Sequence, residues 1–121
     1  MIRFLAPLAL LVPLPTLAER VGVDIDCKPT KRDLVYDCRI LLKDAKSGQP
    51  VGGAEVSIGA DMPSMPMAHN VRAVKAKPGA APGEYLARIE LEMHGEWALK
   101  LDVRGAVRDV IVRKLDFSAP K

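Results

Sequence analysis

The sequence predicts an all-β protein, specifically an immunoglobulin-like antiparallel β-sandwich of about seven strands. After the first eighteen residues, apolar residues alternate with polar ones in nearly every segment, which is the period of a half-buried strand. No stretch keeps the i, i+3, i+4, i+7 pattern of an amphipathic helix for long. Clusters of proline and glycine separate the alternating segments at the short spacing that is typical of a sandwich.

The N-terminal segment, residues 1–18, has the form of a signal peptide. A positive residue, Arg3, precedes an apolar run that begins at Phe4, and the segment ends on the small residue Ala18. We expect cleavage rather than retention as a membrane helix, because the run is about half of the ~20 residues needed to span a bilayer and contains prolines. The mature protein is then a single domain, residues 19–121, in the periplasm.

Seven strands follow from the alternation and from the turn residues between the segments. The predicted strands cover 21–28, 34–44, 54–61, 69–76, 84–93, 96–104 and 107–117. The sixth is the clearest, with Trp97, Leu99 and Leu101 on one face. The last contains three consecutive β-branched residues at 110–112, so it is either covered on both faces or crosses between the sheets.

The two cysteines, Cys27 and Cys38, are predicted to form a disulfide. An exported protein folds in an oxidising compartment, and the spacing is not that of a C-x-x-C redox motif. Each cysteine is in phase with the apolar residues of its own strand, so both sulfurs should point inward from neighbouring strands. The chain-entropy estimate gives such a bond about 3 kcal/mol of stabilisation. Two buried free thiols are the alternative.

The charge of the chain gives no support for nucleic-acid binding. The formal net charge is +3, and removing the predicted signal peptide, with Arg3 and no acid, leaves +2. Basic and acidic residues are interleaved along the sequence, which favours a solvated surface over a basic stripe.

The segment most informative about function lies between the third and fourth predicted strands. It holds Met62, Met65, Met67 and His69, together with two prolines that prevent regular sheet pairing. Thioethers are soft ligands that select Cu(I), and imidazole also suits copper. The segment therefore predicts a Met-rich loop that binds Cu(I) or Ag(I).

A second methionine and histidine pair, Met93 and His94, lies at the junction of the fifth and sixth predicted strands. Apart from Met1, every methionine and histidine lies either in 62–69 or at Met93 and His94. In a sandwich, the loop after the third strand and the tip between the fifth and sixth strands can meet at one end, so Met93 and His94 are candidate additional ligands. The alternative is structural: the methionines plug the end of the core, and the histidines lie on the surface. Trp97 is more often a core anchor than a partner of a cation.

Several short motifs resemble the YtkA-like domain family, which is related to FixH-type extracytoplasmic modules. They are Gly52-Gly53-Ala54-Glu55-Val56, the 62–67 segment, Gly83-Glu84-Tyr85 and Met93-His94-Gly95-Glu96-Trp97, in the family's order over roughly residues 34–104. The resemblance implies an immunoglobulin-like sandwich outside the membrane, often associated with copper handling or cytochrome oxidase assembly. It does not imply a defined biochemical activity.

The leading hypothesis is a periplasmic copper-binding protein that captures Cu(I) or Ag(I) for tolerance or delivery. Its partners are then the copper ion and a membrane or periplasmic copper-handling protein, with no organic cofactor and no nucleic acid. The alternative is an interaction module without a metal, in which the Met-Pro loop is an adaptable apolar patch contacting an extracytoplasmic assembly or efflux system. An enzyme is the weakest class, because the sequence has neither a nucleophile with an adjacent base nor a zinc-binding H-E-x-x-H motif.

Overall fold

The computed structural model describes residues 19–65 and 70–118, and it contains strands and turns but no helix within them. The predicted signal peptide lies outside the described residues. The strands are β1 (Val21–Pro29), β2 (Val35–Asp44), β3 (Glu55–Asp61), β4 (Asn70–Lys75), β5 (Lys77–Pro78), β6 (Glu84–Glu90), β7 (Gly95–Arg104) and β8 (Asp109–Phe117). No helix among these residues is long and apolar enough to cross a membrane.

The strands form two four-stranded antiparallel sheets. The first sheet has the order β1-β2-β6-β5 and the second the order β4-β3-β7-β8. This is the immunoglobulin arrangement, in which the first two strands pair with a later hairpin and the third strand starts the opposite sheet. The predicted all-β sandwich is confirmed, with eight strands in place of about seven.

The extra strand, β5, arises because the chain changes sheets after Lys75. The backbone N–H of Ala76 still donates to the carbonyl oxygen of Val56 in the second sheet, at 2.8 Å, whereas Lys77 and Pro78 pair with β6 in the first. Proline is tolerated there because β5 is an edge strand. Two residues are too few to produce a period-two pattern, so the sequence predicted a turn at this place.

The core fills the space between the sheets with the inward residues of every long strand. Trp97, Leu99 and Leu101 are fully buried on β7, as their alternation predicted. Tyr85 anchors the β2–β3 connection: its hydroxyl donates to the carbonyl oxygen of Val51 at 2.8 Å and accepts from the N–H of Ala54 at 3.0 Å. Its aromatic ring therefore lies in the core while its polar group is satisfied.

Strand β8 is neither covered on both faces nor divided between the sheets, contrary to the prediction for the last strand. Ile111 is fully buried, whereas Val110 and Val112 are each 52% exposed. The strand stays in the second sheet, paired with β7 over its whole length. Among the described residues, nothing covers its outer face, so the three consecutive β-branched residues reflect strand propensity rather than burial on both faces.

The disulfide between Cys27 and Cys38 is present and links directly opposed residues of β1 and β2. Their Cα atoms are 4.0 Å apart. Cys38 belongs to the buried core, and Cys27, on the edge strand, is half-buried against it. The bond joins two strands of one sheet, unlike the bond between sheets in antibody domains.

Candidate functional site

The Met-rich segment leaves the second sheet at the end of β3. Asp61 is the last paired residue of that strand, opposite Ala98 of β7. The following residues form a turn, in which the N–H of Met65 donates to the carbonyl oxygen of Met62 at 3.0 Å. Pro63 lies inside this turn, where its missing N–H leaves no sheet hydrogen bond unmade. Met62 is 4% exposed and Met65 is 39% exposed.

The second candidate segment, residues 91–94, connects β6 to β7 and crosses from the first sheet to the second. The sequence predicted a strand to residue 93 and a tight turn, but β6 ends at Glu90. The N–H of Leu91 instead donates to the carbonyl oxygen of Leu34, at 2.8 Å, which ties the crossing to the β1–β2 loop. Trp97 is fully buried, and its Nε1–H donates to the carbonyl oxygen of Met93 at 3.0 Å.

These two segments meet at one end of the sandwich. Gly95, with φ of 140°, begins β7, and the methyl carbon Cε of Met62 lies 3.0 Å from the position that a Cβ atom would occupy there. Met62 and Met93 both pack on the same core cluster, the first buried and the second half-buried. We call the surface formed by Met62, Met65, Met93 and His94 the Met/His end.

His94 is held by two acceptors. Its Nδ1 lies 3.1 Å from the carbonyl oxygen of Phe117, and its Nε2 lies 3.1 Å from Oδ1 of Asp33. A carbonyl oxygen can only accept, so Nδ1 must carry a proton, and Nε2 donates to Asp33 only when the ring is doubly protonated. The Asp33 side chain is 79% exposed and the His94 side chain 28% exposed, so Asp33 is the partner that solvent can replace.

Aromatic packing positions Phe117, the residue whose carbonyl oxygen binds His94. Phe117, whose carbonyl oxygen faces the imidazole, makes an edge-to-face contact with Tyr36, with ring centroids 4.8 Å apart. Burial raises the pKa of the Tyr36 phenol above its usual 10.0, and the charge of Asp33 raises it further. Tyr36 therefore stays protonated and uncharged at ordinary pH.

The candidate ligands differ in how far the structure describes them. Met62, Met65, Met93 and His94 lie at the same end, whereas Met67 and His69 lie outside the described residues. Sequence reasoning missed Asp33, the carbonyl of Phe117 and the contact of Gly95 with Met62. Asp33 is 61 positions from His94, and no local pattern connects the two residues. Gly95 stood beside His94 in the sequence, but only the three-dimensional contact with Met62 shows why that position needs glycine.

The described residues contain no group of three or more His, Cys, Asp and Glu side chains placed to hold a metal ion. The side chains that could bind an ion at the Met/His end are thioethers, the imidazole of His94 and the carboxylate of Asp33 beside it, and the thioethers are soft ligands that select Cu(I).

Comparison with known proteins identifies the family. No curated protein matches the sequence. The YtkA-like family matches residues 31–102, which is more than half of the chain. The match begins in the β1–β2 loop, ends in β7, and includes both segments of the Met/His end. The chain belongs to the YtkA-like family.

Proposed function

We propose that this protein is an extracytoplasmic binding protein that captures Cu(I) or Ag(I) at the Met/His end, for tolerance or delivery. The observation that carries the proposal is the contact between Met62 and Gly95. It joins the Met-rich turn to the segment with the only other methionine and histidine of the mature chain. A two-segment site can bind an ion with more ligands than either segment alone.

The exposure of the ligands supports a site that exchanges its ion. Met65 and Met93 are partly exposed, so their thioethers can meet a soft ion without unfolding the sandwich. Met62 is buried in the core, so its thioether can reach an ion only if the side chain or the ion moves into contact. Neutral thioethers need no deprotonation, so an ion can pass to a partner by stepwise ligand replacement.

The hydrogen bonding of His94 favours the same role. Its Nδ1–H is directed at the carbonyl oxygen of Phe117, so the tautomer that the ring adopts when it is neutral has its lone pair on Nε2. Nε2 faces Asp33, an exposed side chain that can turn away. A metal-binding histidine usually donates the N–H of one ring nitrogen to a carbonyl or carboxylate, as Nδ1 does here, and binds the metal through the other ring nitrogen.

Export through the signal peptide, and hence a periplasmic location, belongs to the same proposal, as does a role in binding rather than catalysis. The relation to FixH-type modules remains a prediction. The family membership is consistent with an extracytoplasmic domain.

One observation favours the rival function, an interaction module without a metal. Met62 is nearly inaccessible and belongs to the hydrophobic core, as expected of a side chain that plugs the end of the sandwich. In that case Met65 would be an exposed apolar contact for a protein of an extracytoplasmic assembly or efflux system.

A Cu(I) competition titration against a chromogenic chelator separates the two functions. We expect the mature protein to bind one equivalent of Cu(I). The triple replacement of Met62, Met65 and Met67 by isoleucine should abolish binding while unfolding stays cooperative. Met65→Ile alone should weaken binding without loss of stability, because that side chain is exposed.

Leu86→Ile is the matched control, since Leu86 is exposed to a similar degree and lies on β6, away from the Met/His end. It should leave Cu(I) binding unchanged. A parent protein that binds no Cu(I) would favour the interaction module. A triple variant that binds as tightly as the parent would place the site elsewhere.

A further inference from the structure

The outer face of the first sheet carries a concave surface that the sequence does not reveal. Strand pairing sets Asp26, Arg39, Leu86 and Lys77 side by side in one row across β1, β2, β6 and β5. The neighbouring row holds Lys28, Asp37 and Arg88. Between them the surface encloses about 860 Å³. We call it the basic groove, lined by Lys28, Arg39, Lys75, Lys77, Arg88 and Leu86.

The groove concentrates positive charge. Five basic side chains line it, against the two acidic ones, Asp26 and Asp37. The lining side chains therefore carry an excess of three positive charges, one of which is offset by Glu84, the ion-pair partner of Arg39. The interleaving of charges along the sequence suggested an even distribution, but strand pairing brings Lys28, Arg39, Lys77 and Arg88 from four strands onto one face of the first sheet, and Lys75 at the end of β4 adds a fifth basic side chain.

Much of this charge is available to a partner. Arg39 is engaged by Glu84, at 2.6 Å, and Arg88 by Asp37, at 2.7 Å. Throughout residues 19–65 and 70–118, no carboxylate lies within 4.0 Å of the ammonium groups of Lys28, Lys75 or Lys77. A bound carboxylate would gain a counter-ion there without displacing an existing one.

Leu86 gives the groove an apolar centre. It is 45% exposed, because it points to the outer face of β6, whereas the residues before and after it in the strand, Tyr85 and Ala87, are buried on the inner face. Arg39 and Lys77 are directly opposite it on the adjacent strands. An apolar side chain surrounded by cations, in a concave surface, is suited to a partner with one apolar anchor and acidic residues around it.

We propose that the basic groove binds an acidic segment of a partner protein, with an apolar side chain of that segment on Leu86 and carboxylates on the lysines. A concave surface favours a protruding polypeptide segment over a flat membrane. Thr30, which lines one edge of the groove, begins the loop that carries Asp33. The proposal does not depend on metal binding.

The test uses NMR titration of the ¹⁵N-labelled mature protein with a synthetic peptide of glutamates around a single central leucine, at low ionic strength. We expect saturable shift changes confined to the residues that line the groove, on β1, β2, β5 and β6 and at Lys75 at the end of β4, and these changes should diminish as salt is added. Lys28→Glu with Lys77→Glu should weaken binding by about tenfold or more. Leu86→Ser should also weaken it, with little change in stability because the side chain is exposed.

Two matched controls are available on the second sheet. Lys100→Glu with Lys114→Glu changes the net charge equally, and Val112→Ser removes an equally exposed apolar side chain. Both should bind like the parent. Equal effects of the two lysine pairs, or shift changes that extend over β3, β7 and β8, would overturn the proposal, as would a peptide that produces no saturable change. Binding to phosphatidylglycerol vesicles without peptide binding would assign the groove to a membrane and overturn it as well.

Discussion

The terminal methyl group of Met62 lies 3.0 Å from the position that a Cβ atom would occupy at Gly95. Gly95 also has a φ of 140°, a backbone conformation that residues other than glycine rarely adopt. Replacing it with alanine therefore has two costs, backbone strain and a small shift of the Met62 methyl group. We expect Gly95→Ala to destabilise the fold by about 1 to 3 kcal/mol, measured by urea unfolding.

Gly52→Ala is the control for this prediction, because a Cβ there meets no atom within 4 Å and the backbone φ is not positive. It should unfold close to the parent's midpoint. Adding Met62→Ala to Gly95→Ala should cost less than the sum of the two single changes, since the crowded methyl group is removed. Strict additivity would mean that the contact carries no energy.

Removing the Cys27–Cys38 bond should lower stability without changing the fold. The bond closes a loop of sequence separation 11, and we expect its loss to cost about 2 to 4 kcal/mol. Intact-mass analysis should show the mature chain two hydrogens lighter than its reduced form. Reductant should lower the urea midpoint of the parent but not that of the Cys27→Ala, Cys38→Ala variant. Two thiols that alkylate in non-reduced, denatured protein would contradict the assignment.

Strand alternation predicted the fold because each long strand has one face on the core. The inward residues of β7 are those that the pattern selected, and the two cysteines pair as expected. Alternation along one strand does not show which other strands it pairs with. The crossing at 91–94 depends on which sheet receives β7, and a two-residue strand such as β5 has no readable period.

The candidate site was predictable only at the level of composition. Methionine and histidine clusters were evident in the sequence, but the burial of Met62 and the approach of Asp33 to His94 depend on packing between distant segments. The basic groove illustrates the same limit. Lys28, Arg39 and Lys77 belong to three strands and form one surface only because the register aligns them.

Acid should weaken the fold through Glu84. Its carboxylate accepts from Nε of Arg39 at 2.6 Å and from the N–H of Ala80 at 3.0 Å, and these bonds hold its pKa below the usual 4.5. A carboxyl group with a lowered folded-state pKa stabilises the protein above its unfolded pKa, and that stabilisation is lost as the pH falls through the folded value. The stability gap between the parent and Glu84→Gln should therefore be full at neutral pH, begin to close as the pH falls through the unfolded-state pKa, and vanish below the lowered folded-state pKa.

Urea midpoints of the two proteins across the acid range provide the measurement. Glu96→Gln is the control for removing one exposed carboxylate, since no basic group among the described residues lies within 4.0 Å of Glu96. A gap between parent and Glu84→Gln that stays constant from neutral to acid pH would show that the Arg39 contact does not hold the carboxylate ionised.

Trp97 should report ion binding at the Met/His end, because its Nε1–H donates to the carbonyl oxygen of Met93 and its ring is fully buried. An ion bound by Met93 shifts that backbone and so perturbs the indole. We expect Ag(I), a redox-inert substitute for Cu(I), to change Trp97 fluorescence saturably at one equivalent. Met93→Ile keeps a similar apolar volume and should reduce the response while stability is retained. An unchanged spectrum in a protein that binds one Ag(I) would show that the Met-rich loop binds alone and that Met93 serves only the core.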